Sequence, residues 1–93
     1  MQQDVIEVKT RSGFEWKLEA DVTDDQELLD ALVEVQKTRI YKPVIDIMLG
    51  EEGRKALYNH VRNEKGKVPA SKIMLEVADI FNCIRENKQV KNS

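Results

Sequence analysis

A single cysteine, Cys83, rules out a disulfide within the chain. A single histidine, His60, leaves no second imidazole for a metal cluster and no acid–base triad to compose with Cys83. No apolar run approaches the ~18–20 residues needed to span a bilayer. The opening residues Met1-Gln2-Gln3-Asp4 lack the basic start and apolar run of a signal peptide, so a cytoplasmic protein is expected. Charge of one sign is also missing: 15 basic and 17 acidic side chains leave a formal charge of −2. A chain so balanced sets up no strong field toward phosphate backbones or anionic lipid, which argues against nucleic acid and membranes as partners.

What the chain does have is a globular mixture, 41% apolar and 34% charged. Its 93 residues fit one domain, expected over 1–87. A domain of this size buries about 60–65% of the surface its unfolded chain exposes, so the core is thin and burial against neighbours matters.

Period-two alternation marks two strands over 5–19. Ile6, Val8 and Thr10 alternate with Glu7 and Lys9; Phe14, Trp16 and Leu18 alternate with Glu15, Lys17 and Glu19. A two-residue turn would oppose Lys9 to Trp16. A three-residue turn, Arg11-Ser12-Gly13, opposes Val8 to Trp16 and Ile6 to Leu18, keeping apolar with apolar. It also puts Gly13 at the third loop position, where a left-handed backbone is needed.

Four helices are expected after the hairpin, giving an α+β, mostly α, fold. The first covers about 24–38, with Thr23 and Gln26 as a capping box. Leu28, Leu32 and Val35 form its apolar stripe, with Leu29 and Val33 beside it. The second, 43–49, starts on Pro43 and stops at Gly50. The third covers about 51–64 and ends before Lys65-Gly66-Lys67. The fourth covers about 70–87, with Ile73, Val77, Ile80, Phe81 and Ile84 as its stripe. The tail 88–93 has no pattern and is expected to be disordered.

Residue types that carry chemistry have ordinary readings. His60 reads as a surface or partly packed side chain and Cys83 as a small apolar one. Asp24, Asp25, Glu27 and Asp30 suit a helix start. Arg54, Lys55, Arg62, Lys65 and Lys67 interleave with acids at helical spacing, as on a solvated face. No nucleophile–base pair, metal cluster or phosphate-cradling loop is present, and nothing calls for a cofactor. The chain is therefore expected not to be an enzyme. The segment from Ile40 to Leu49 is apolar nearly all round. That suits a core helix, a subunit interface, or both. Trp16, Ile40, Tyr41, Val44, Ile45 and Met48 are the candidate interface residues, and a homo-oligomer is expected.

Two stretches carry a family resemblance. One is Ser12-Gly13-Phe14-Glu15-Trp16 followed by Asp24-Asp25-Gln26-Glu27-Leu28-Leu29-Asp30-Ala31-Leu32. The other is Met48-Leu49-Gly50-Glu51-Glu52-Gly53 through Leu57, then Asn63-Glu64-Lys65-Gly66-Lys67-Val68-Pro69. Together they resemble small tail assembly chaperones of long-tailed bacteriophages and prophages of Gram-positive bacteria. The resemblance implies a protein of the host cytoplasm that coats the tape measure protein, and acts near the tail tube protein, during virion morphogenesis. It also implies a site where a frameshifted, longer form would join, after Asn87. It carries no individual functional residues with it. The readings that compete with it are a structural tail component and a small nucleic-acid-binding regulator.

Overall fold

The computed structural model describes the backbone of residues 5–92 and the side chains of residues 5–86. The chain is α+β and mostly helical: an N-terminal antiparallel hairpin followed by three helices. Strand β1, Val5–Lys9, pairs with β2, Glu15–Glu19, in the register Val8↔Trp16 and Ile6↔Leu18. The three-residue turn is present. The Thr10 N–H donates to the Phe14 carbonyl at 2.9 Å, and Gly13 takes φ 100°, where a side chain would be strained. Ile6, Val8, Phe14 and Leu18 are all buried on the inner face. The outer face carries the cross-strand pairs Glu7–Lys17 and Lys9–Glu15, at 3.9 and 3.8 Å. Pairs so exposed add little stability, but charges along a short two-stranded sheet discourage pairing with another strand.

A short 3-10 helix, Ala20–Asp24, leads into helix α1, Gln26–Thr38. The expected capping box at Thr23 is not formed. The Thr23 hydroxyl donates to the Ala20 carbonyl inside the 3-10 turn, and Asp25, in extended conformation, caps α1 by accepting from the Glu27 N–H at 2.8 Å. An acidic side chain so close competes well for this position, because Asp caps at least as strongly as Thr. The helix ends at Thr38 as its sequence indicates, with Arg39 in the left-handed region at φ 61°.

The second and third expected helices run as one element, α2, Lys42–Val61, so the helix count is three rather than four. The break expected at Gly50 is there as a kink: Gly50 has φ 77° and ψ 170° while the residues around it stay helical. The element stops at Val61 instead of Glu64, because Asn63 folds the chain back. Its side-chain carbonyl accepts from the Lys65 and Lys67 N–H groups at 2.9 and 3.0 Å. Such side-chain turns compete with helical hydrogen bonding. Helix α3, Ala70–Asn92, passes the Asn87 limit, and 88–92 extend it where a disordered tail is expected from the pattern. Lys88, Gln89 and Lys91 are good helix formers, and no Gly or Pro intervenes. Residue 93 of that tail lies outside the described residues.

The hairpin lies across the other elements, with β1 against α3 and β2 against α2, and α1 packs on α2. The core formed there is centred on Val8, Val44, Ile45, Leu57 and Ile80, all fully buried. Trp16 stacks parallel to Phe14 at 6.1 Å and lies over Gly53, where a Cβ would come within 3.0 Å of the indole. A glycine in this helical turn thus makes room for the ring.

Candidate functional site

The hairpin turn is fastened to α3 by charge. Arg11 binds Asp79 through both backbone and side chain: its N–H donates to Oδ2 at 3.0 Å, and its guanidinium to Oδ1 at 2.9 Å. Arg11 hydrogen bonding and charge hold the Asp79 carboxyl below its usual range and push the guanidinium up. Because the folded carboxyl lies below its unfolded value of about 3.9, the pair contributes fully above that pH. Its contribution is lost as pH falls through the lower, folded value. Asp79→Asn is therefore expected to lower the melting temperature at neutral pH. The gap to wild type should shrink at a pH well below the ordinary carboxyl value of about 3.9. An equal gap at both pH values, in thermal melts followed by circular dichroism, would contradict the assignment.

Beside this pair, Ser12 meets residues from two helices. Its hydroxyl donates to Glu76 Oε2 at 2.5 Å and lies 3.0 Å from His60 Nε2. His60 leans on Phe14 at a ring separation of 5.7 Å. Glu76 is buried, and its second oxygen finds no hydrogen-bond partner among the described residues. A serine, a histidine and a glutamate in one place invite comparison with a nucleophilic triad, but the order differs. In a triad the imidazole stands between hydroxyl and carboxylate, so that it can take the hydroxyl proton and be oriented by the acid. Here the serine stands in the middle, and its one proton is committed to Glu76. What the arrangement does is hold the turn: Arg11 is pinned to Asp79 and Ser12 to Glu76, while the Thr10 hydroxyl meets that of Ser12 at 3.1 Å. Cys83 adds a thiol contact of 3.4 Å to the Lys9 carbonyl. Sequence reasoning missed this cluster, although it left a signal. Glu76 and Asp79 interrupt the apolar inner face of α3 between Ile73 and Ile84, and an acid on such a face needs a partner.

The six candidate interface residues divide sharply. Val44 and Ile45 are 0% exposed and Met48 is 4%. They belong to the buried core that α2 shares with residues of the hairpin, α1 and α3. Contact through them would require the fold to open. Trp16 and Tyr41 are half-buried against that core. Ile40 alone is open, 58% exposed just past the end of α1. The apolar surface that remains uncovered lies elsewhere. On α1, Leu28 and Ala31 face inward, while Leu29 and Val33 are 49% and 54% exposed. On α3, Met74 and Leu75 point away from the buried stripe, with Leu75 61% exposed.

Three of the five basic residues around the third expected helix are engaged. Arg54 pairs with Asp46 and lies over the Tyr58 ring, Lys55 pairs with Glu51 at 3.3 Å, and Arg62 reaches Asn59 and the Gly66 carbonyl. Burial pushes the Asp46 carboxyl up, but hydrogen bonds from Arg54 and Lys42 outweigh that and hold it low. Among the described residues no three His, Cys, Asp or Glu side chains are placed to hold a metal, and no helix is long and apolar enough to cross a membrane. The geometry thus describes a small helical fold with a tied-down hairpin and two uncovered apolar helix faces. The chain matches no protein-family model, no curated protein and no solved structure.

Proposed function

We propose that this chain is a non-catalytic tail assembly chaperone of a long-tailed phage or prophage. In this reading it binds the tape measure protein in the host cytoplasm, keeps it soluble while tail tube subunits assemble, and works as a homo-oligomer. The observation that carries the reading is the uncovered apolar surface on two helices, Leu29 and Val33 on α1 and Met74 and Leu75 on α3. The family resemblance along the hairpin, α1 and the Gly50 region supports it.

A tape measure chain is long, helical and apolar on one stripe. Its holder needs shallow apolar surface, no chemistry, and many weak sites used together. Linking such sites raises avidity by about 10²–10⁴ without one tight contact. On α3, Ser71, Met74, Leu75 and Ala78 share an outward face at helical spacing, all exposed. That face is the proposed landing site for the tape measure helix. Co-expression with the tape measure protein from the same tail gene cluster tests the reading. A soluble complex that elutes as one species is expected. A tape measure protein that aggregates equally with and without this chain would overturn it.

A further inference from the structure

We infer that the outer face of α1 is covered by α1 of a second copy, packed antiparallel about a two-fold axis near Val33. This deepens the proposed function, which calls for an oligomer but names no surface for it.

Leu29 and Val33 sit one turn apart, half exposed, with Leu32 partly buried beside them. The charges along α1 are sorted by end. Glu27, Asp30 and Glu34 lie in its first two-thirds, and Lys37 and Arg39 close it. None of these five joins an ion pair among the described residues, whereas hairpin and α2 charges do. Asp30 and Lys37, seven residues apart, flank the apolar strip on the same side. In an antiparallel pair the same flanks face each other. With Val33 at the axis, Asp30 of one copy meets Lys37 of the other, twice per dimer. A parallel pair would instead set like charges level with each other. Flanking charges of this kind choose orientation in paired helices. The long stem of Lys37 can also lie over Leu29 of the other copy.

A single helix pair of this length buries less than the about 1,200 Å² of a standard interface, so a weak, concentration-dependent dimer is expected. It leaves the α3 face free on both copies and so presents two landing sites.

Sedimentation equilibrium of the full chain over a wide concentration range tests the inference. Wild type is expected to pass reversibly from monomer to dimer. Val33→Asp should abolish the dimer. Asp30→Lys and Lys37→Asp should each weaken it by about fivefold, since each turns two attractions into repulsions. The double swap should restore it to near wild type. Asp30 and Lys37 are exposed, so these variants keep the fold, checked by their unchanged helical spectra. A chain that stays monomeric at millimolar concentration overturns the inference, as does a double swap no better than the singles. A monomer that still captures the tape measure protein would remove this interface and leave the chaperone reading standing. A dimer that captures nothing would do the reverse.

Discussion

Ile45→Ala is expected to cost about 3–4 kcal/mol of folding stability, the largest effect of any single truncation considered for this chain. Ile45 is fully buried, in one core cluster with the fully buried Val44, Leu57 and Ile80. Removing most of its side chain forfeits the transfer energy of the lost carbons and leaves a cavity that helix backbones cannot close. For a domain with roughly 5–10 kcal/mol in total, such a loss brings it near its threshold. Chemical denaturation measures the effect directly. The prediction also separates two roles for the Pro43–Leu49 segment. If Ile45 served an interface, its truncation would leave the monomer's stability nearly unchanged and weaken self-association instead.

Gly50→Ala is expected to cost about 1–3 kcal/mol, for a different reason. Nothing lies within 4 Å of the position where a Cβ would stand, so space is not the issue. The backbone is: φ 77° with ψ 170° belongs to a region that only glycine populates readily. Ala favours a straight helix, so the variant pulls the two halves of α2 toward one axis. That would drag Met48 and Leu49 out of register with Leu57 and Val61. A melting temperature equal to or above that of wild type would show that the kink is dispensable.

Much of the fold is legible in the sequence, because local chemistry and tertiary packing agree there. The hairpin register follows from matching apolar to apolar across the turn, and Gly13 supplies the backbone the turn needs. The end of α1 before Pro43 and the interruption at Gly50 follow from backbone preferences alone. The cap of α1 is not legible, because Thr23 and Asp25 both offer oxygens and the choice depends on the 3-10 turn that engages Thr23. The end of α2 moved to Val61 because Asn63 builds its own turn. The interface residues were the least legible. An all-apolar segment reads alike whether neighbours in the same chain or in another cover it. Only the fold decides, by burying Val44, Ile45 and Met48 in the core of the same chain. The same holds for Leu29 and Val33, which look like the edge of a buried stripe but stand about half exposed in the fold. The Ser12–His60–Glu76 cluster joins three elements far apart in sequence, and only the fold brings them together.

In the proposed function this chain acts by lending apolar helix surface to a partner. The most direct measurement is capture of co-expressed tape measure protein by wild type, by Met74→Asp/Leu75→Asp on α3, and by Ser12→Ala at the turn. Wild type and Ser12→Ala should hold the partner in solution alike, while the α3 double variant, folded and self-associating as before, should lose it to the pellet. Retention of the partner by the α3 variant at wild-type levels, or its loss with Ser12→Ala alone, would contradict the account.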